Sequence, residues 1–307
     1  MKVPRVFAIT QEVDREADTL GFVHSWLERL SERVEKLDVL ALRVGAHELP
    51  ANVHVRRIDT TGEGAGRMRR AFHSWFSLWK GLRGARRAIV FCHMCPQYVL
   101  AAYPFARLRG ARIVYWQTHG RIGWLQRLAH RFADRVLTAS PESFPIRSKK
   151  VCVIGHGVDT DWFRPPPGEV SVSRTPGRPT ILGVGRIASI KSWETLIEAA
   201  GTLVHRHGRK DLLFRIVGGD ACEAPAYGRA LRARVEAEGL GDWVEFAGPV
   251  PHGVIRDHYW SSDIFVSTSL TGSIDKVVLE AMACGLPPLV CAEAFRGMLG
   301  PYADRLM

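Results

Sequence analysis

No apolar run in this sequence approaches the ~20 residues that a membrane-spanning helix needs. The opening MKVPRVFAIT holds too short an apolar stretch for a secretory signal and passes straight into a strand pattern. A cytoplasmic protein is therefore expected. Cysteine is sparse, with six residues: Cys92, Cys95, Cys152, Cys222, Cys284 and Cys291. Only Cys92 and Cys95 form a CxxC, with His93 between them, and no second ligand pair stands at zinc-site spacing. The cysteines read as reduced residues of strands and helices, and no metal site is expected. Acidic residues are scarce in one region: residues 51–150 hold 4 Asp and Glu against 19 Lys and Arg. No zinc finger or other nucleic-acid module accompanies that charge, so nucleic acid is not the expected partner.

What is present is an ordinary globular composition, 46% hydrophobic and 24% charged over 307 residues, enough for two domains with full cores. The formal charge of +11 is uneven: residues 1–150 carry a net +13 and residues 151–307 a net −2. The first half is suited to an anionic surface.

Strand and helix patterns alternate along the chain. Strands are expected at 7–10 with its lead-in, 37–43, 53–58, 88–93, 112–117, 135–140 and 151–155, with helices around 19–35, 66–83, 97–108 and 122–133. After the Pro-, Gly- and Ser-rich segment Arg164–Pro179 the rhythm restarts, with strands at 180–185, 212–219, 243–248, 263–269 and 287–292 and helices at 192–207, 226–238, 251–261 and 275–284. This βαβ alternation predicts parallel sheets covered by helices on both faces. The domain boundaries read as 1–165, a linker 166–179, and 180–307. The sequence stops at Met307 within a helical pattern, and the expectation is a second domain incomplete at its C-terminus.

In open α/β sheets ligands bind beyond the carboxyl ends of strands, and two turns there can hold an anion. In GVGRIASIKSW (Gly183–Trp193) a strand ends in glycines, Arg186 and Lys191 bracket the loop, Ser192 is a candidate N-cap and Glu194 falls in the first turn. Two solvated surface cations after a glycine turn would look the same. In TGSIDKVVLEAMACGLPPLV (Thr271–Val290), Thr271, Gly272 and Ser273 offer amides and hydroxyls before a helix that starts near Asp275. Glu280 stands within an apolar stretch, where a carboxylate is costly unless bound. It can accept from vicinal hydroxyls such as those of a ribose, or pair with a basic side chain. Asp275 and Lys276 read equally as a cap and a solvated lysine.

GRIASIKSWETLIEAA, FRIVGGD, VEFAGPVPHGVIRDHYWSSDIFVSTS and DKVVLEAMACGLPPLV, in this order and spacing, resemble glycosyltransferase family 4, the group 1 glycosyltransferases. VIGHGVDTDWFRP (153–165) resembles the segment by which that family enters its interdomain region. The resemblance is good from Val151 onward and weak before it. It implies an α/β GT-B fold, two Rossmann-like doubly wound domains facing across a cleft. It also implies a retaining, metal-free transfer from a nucleotide-diphospho-sugar bound by the second domain to an acceptor bound by the first. By the same resemblance Arg186 and Lys191 match the cations on the donor diphosphate, and Glu280 matches the second glutamate of the E-x7-E motif, which binds the ribose. The motif's first glutamate would fall at Gly272 and is missing. The TGSxDK form resembles a family variant, with Gly272, Ser273, Asp275 and Lys276 in the donor loop and Asp275 the nearest acid. In YWQTHGR (115–121), His119 matches the histidine that meets the donor sugar near its reacting carbon. The loop TQEVDREADTLGF has only Gly21 where the family often has paired glycines.

Gly66–Arg87 interleaves seven Lys and Arg residues with Phe72, Trp75, Phe76 and Trp79 at helical spacing. The pattern fits a helix lying in an anionic membrane interface, on the inner face of the cell membrane, with a lipid-linked or cell-envelope glycan as acceptor. It also fits a core-facing aromatic stripe with solvated arginines. A sugar-nucleotide epimerase or a catalytically inactive sugar-nucleotide-binding subunit is the alternative to a transferase.

Overall fold

The computed structural model describes residues 3–17, 20–58, 67–118, 120–167, 177–221 and 224–307, the backbone alone for Pro4 and residues 67–72. His119, Cys222, the start of the basic aromatic segment and most of the expected linker lie outside the described residues.

The chain divides into two compact units, Met1–Gly155 and His156–Met307. The sequence reading placed residues 156–165 in the first domain; they belong to the second unit. Phe163 is the reason, since it is buried against Tyr259 and Phe265. The carbonyl of Arg164 accepts from Trp260 Nε1 at 2.7 Å, and the Arg256 guanidinium stacks between Trp162 and Trp260.

In the first unit the strands are β1 (Val3–Val13), β2 (Val34–Val44), β3 (Val53–Arg57), β4 (Ile89–His93), β5 (Arg112–Trp116), β6 (Arg135–Thr138) and β7 (Val151–Val153). All pairings are parallel, in the order β3-β2-β1-β4-β5-β6-β7. Helices α1 (Phe22–Ser31), α2 (Arg67–Gly81), α3 (Pro96–Arg109) and α4 (Trp124–Phe132) connect them. Alternation along β1 explains the two-sided core. Phe7 and Ile9 face a cluster with Leu78 of α2, Val99 and Ala102 of α3 and Ala129 of α4, while Val6 and Ala8 face Val23 and Leu27 of α1.

In the second unit β8 (Thr180–Val184), β9 (Leu213–Val217), β10 (Val244–Gly248), β11 (Ile264–Ser267) and β12 (Pro288–Val290) form a parallel sheet in the order β10-β9-β8-β11-β12. Its helices include α5 (Trp193–Gly201), α6 (Pro225–Ala237), α7 (Ile255–Trp260) and α8 (Lys276–Ala283). Strand order reverses between β8 and β11, which is where a doubly wound sheet opens a ligand crevice beyond its carboxyl ends. Gly218, just past β9, shows how tightly those ends converge. Its φ is +151°, and a Cβ there would sit 2.0 Å from the carbonyl oxygen of Gly185.

Of the aromatic stripe, Trp75 and Trp79 pack on Phe105 of α3, and Phe76 packs on Trp79. Lys80 lies over Phe76, Arg83 lies over Trp79, and one edge of Trp75 meets solvent. The inward-packing alternative thus accounts for most of the described stripe. Among the described residues no helix is long and apolar enough to cross a membrane.

Candidate active site

Two loops flank the reversal point of the second sheet. The first leaves β8 through Gly185 and carries Arg186, which is exposed and whose carbonyl accepts from Trp193 Nε1 at 3.0 Å. It ends at Ser192, with φ +49° and ψ +48°. Ser192 stands at the N-cap position but makes no capping bond; its hydroxyl meets Thr195 Oγ1 at 3.0 Å. Tyr227 takes over the capping function. Its hydroxyl oxygen accepts from the Trp193 amide at 3.2 Å while the hydroxyl donates to Glu194. Burial, followed by the Glu194 carboxylate, pushes the Tyr227 phenol up to about 12.

The second loop leaves β11 and docks on the first. Thr268 Oγ1 donates to the Lys191 carbonyl at 2.8 Å, and the Leu270 amide to the Ile190 carbonyl at 2.9 Å. Within the loop the Ser269 hydroxyl donates to Thr271 Oγ1 and the Ser273 amide to the same oxygen. Gly272 has φ +65°, the left-handed region that an acid with a Cβ seldom adopts, so this turn geometry agrees with glycine at the position where the resemblance expects glutamate.

Asp275 stands at the N-cap of α8 without a capping bond. Its carboxylate reaches across the reversal point to Lys191, Nζ to Oδ2 2.8 Å, and takes a longer contact from the Ser267 hydroxyl. The solvated lysine considered for residue 276 is not found. Lys276 is largely buried, with Nζ 3.7 Å from Glu280 Oε1, and burial pulls its ammonium down while Glu280 opposes the shift.

Glu280 is 3% exposed. Tyr259 donates to its Oε2 at 3.1 Å, and His252 Nε2 lies 3.3 Å from Oε1. Burial, then the neighbouring carboxylate, pushes the Tyr259 phenol up. A carboxylate oxygen has more than one lone-pair site, so these contacts leave room to accept further hydroxyls. His156 joins the group: it bonds the Ile274 backbone, and burial, followed by the charge of Lys276, lowers its imidazole to about 4.

The sequence singles out the two loops and Glu280; it gives no sign of His252, His156 or Tyr227 beside them. One signal was available for Tyr259. A buried carboxylate requires donors, and YW at 259–260 ends a short helix beside β11. Of the candidate residues, Lys191 meets Asp275 and Lys276 lies 3.7 Å from Glu280, while Arg186 shares the loop of Lys191. His119 follows β5 of the first unit, just past Thr118, whose hydroxyl donates to Met94 Sδ at 3.4 Å.

Near the CxxC, Thr10 Oγ1 meets His93 Nδ1 at 3.1 Å and Gln11 donates to Cys95 Sγ at 2.8 Å. Burial pushes both thiols up, and among the described residues no three His, Cys, Asp or Glu side chains group as metal ligands.

Residues 178–299 match the family model for "Glycosyl transferases group 1". That match spans most of the second unit, which is therefore similar to the group 1 glycosyltransferases over those residues. D-inositol 3-phosphate glycosyltransferase 2 of Catenulispora acidiphila is 34% identical over 160 residues, 50% of this chain and 37% of that protein. The chain thus matches well under half the length of that relative. Two solved structures share the fold. Anabaena HepE in complex with UDP-glucose has a TM-score of 0.74 at 17% identity, covering 96% of this chain and 83% of that one. Sucrose-phosphate synthase from Thermosynechococcus elongatus has a TM-score of 0.73 at 15% identity, covering 97% and 84%. The α/β GT-B fold expected from the group 1 resemblance is therefore present, with a smaller second sheet.

Proposed function

We propose that the chain is a retaining glycosyltransferase that moves a sugar from a nucleotide-diphospho-sugar to an acceptor held by the first unit. The observation that supports this reading is the pair of interlocked loops at the β8/β11 reversal, which hold Lys191 against Asp275 at the start of α8. Departure of the sugar leaves a nucleoside diphosphate with growing negative charge. Fixed cations and two helix N-termini stabilise that charge without rearranging during the reaction. Glu280, held in place by Tyr259 and His252, is suited to bind the nucleotide's ribose hydroxyls. Its fixed position costs little entropy on binding.

In the retaining step the bond from the sugar's anomeric carbon to the phosphate oxygen breaks, and the acceptor oxygen bonds that carbon from the same face. The acceptor's hydroxyl proton passes to the departing phosphate oxygen. The roles assigned to His119, Gly272, Ser273, Asp275 and Lys276 belong to this reading, as does the expectation that no metal is needed.

A lipid-linked or cell-envelope acceptor, met at an anionic inner-membrane surface, is part of the same proposal. It is supported by the charge of the first unit and by α4. Along its outer stripe Trp124 is 72% exposed, and Arg127 and Arg131 follow at helical spacing. Leu108 on α3 and Trp75 on α2 add exposed apolar surface.

The test is incubation of the chain with UDP-, GDP- and ADP-sugars and lipid-linked acceptors, with the anomer of the product read by NMR. Transfer with retention supports the reading. Binding without transfer or hydrolysis favours an inactive subunit, and interconversion of free sugar nucleotides favours an epimerase.

A further inference from the structure

The Lys191–Asp275 ion pair places an acid inside a site built to hold an anion. Both side chains are mostly buried, 19% and 14% exposed, so solvent screens the pair weakly. The Lys191 backbone is fixed without Asp275: its amide donates to Ala188 and its carbonyl accepts from Thr268. Nor is the carboxylate used as a helix cap, although Asp275 stands at the N-cap of α8. Its placement serves Lys191, with Ser267 as a weaker contact.

We propose that Asp275 is a product-release residue, one that discriminates against the nucleoside diphosphate relative to the nucleotide-sugar. This rests on the donor-site reading above. Geometry supplies the argument. An ammonium holds each anionic oxygen at about 2.8 Å, so two anions sharing Lys191 Nζ lie within about 6 Å of one another. A diphosphate on Lys191 is therefore always close to the Asp275 carboxylate. The donor, esterified by its sugar, carries two charges on the diphosphate. The product's terminal phosphate has a second ionisation near pH 6 and brings nearly one charge more. One additional charge at about 6 Å, at an effective dielectric of about 20, corresponds to about a hundredfold in affinity. Asp275 thus opposes the product more strongly than the substrate, and empties the site after transfer.

Titration calorimetry on the full chain tests this with three ligand pairs: UDP and UDP-glucose, GDP and GDP-mannose, ADP and ADP-glucose. For the pair that the wild type binds, Asp275→Asn is expected to lower the Kd of the diphosphate by up to about a hundredfold relative to that of the sugar ester. Steady-state assays should show kcat and KM falling together as release becomes limiting, with stronger product inhibition. Asp275→Ser, which keeps a good N-cap residue, should do the same, and Asp275→Glu should keep the wild-type ratio within about twofold, since the charge near Lys191 is retained. An unchanged ratio in both Asn and Ser variants, with wild-type binding intact, overturns the role of Asp275 alone. Failure of the wild type to bind any of the six ligands overturns the donor-site reading and this inference with it.

Discussion

The Tyr259 hydroxyl donates to Glu280 Oε2 at 3.1 Å inside the second unit, where the carboxylate is 3% exposed. A buried anion remains charged at tolerable cost only when donors surround it. Tyr259, His252 and Lys276 fill that role from three separate places in the chain. Tyr259→Phe keeps the ring that packs on Phe163 and Phe265 but removes the donor. It should destabilise the chain by about 1–3 kcal/mol, measured by urea unfolding. A loss below a few tenths of a kcal/mol would mean that His252 and Lys276 suffice.

The pH dependence of stability should carry a signature of His156. Its folded pKa of about 4 lies below the ordinary 6.5, so between those values the unfolded chain binds the additional proton. Stability from this group is complete above pH 6.5, declines as pH falls toward 4, and is absent below. His156→Gln should therefore flatten the unfolding free energy against pH in that window by up to about 1.4 kcal/mol per unit. An identical slope in the variant would refute the assignment.

Backbone convergence at the strand ends gives a third test. Gly218→Ala must place a methyl group 2.0 Å from the Gly185 carbonyl oxygen at φ +151°. The expected loss is roughly 2 kcal/mol or more, from strain and clash together. Because Gly185 begins the Arg186 loop, donor binding should weaken as well, read by calorimetry at a temperature where the variant is folded.

Alternation of strand and helix patterns made the architecture legible. The central buried strands read as apolar runs, and among the described residues the strands fall where the strand patterns were expected, including the mostly polar β3 (VHVRR). The Arg186–Lys191 loop and Glu280 on α8 stood out for a related reason: each comes after a strand end and carries chemistry that a core does not need. The partners of Glu280 were not. Tyr259 and His252 reach it through tertiary packing, and no local spacing encodes that. Lys276 could have been paired with Glu280 from their four-residue separation on a helix. Ser192 misled because a serine before a helix usually caps it, whereas here a left-handed backbone turns its hydroxyl toward Thr195 and Tyr227 caps instead.

The first unit's charge predicts salt-sensitive binding to vesicles containing phosphatidylglycerol and little binding to neutral phosphatidylcholine vesicles. Arg127→Glu with Arg131→Glu should weaken binding to anionic vesicles about 30-fold or more, at roughly 1 kcal/mol per cation near the surface. Equal sedimentation with both vesicle types would remove the electrostatic anchor.

The donor site itself is tested most directly by calorimetric titration of the chain with nucleotide-sugars, comparing wild type with Arg186→Ala and Lys191→Ala. Each substitution should weaken binding of whichever donor the wild type accepts by about 10- to 100-fold, the value of a charge-assisted contact to phosphate. Affinity equal to wild type in both variants would contradict a diphosphate site between these loops.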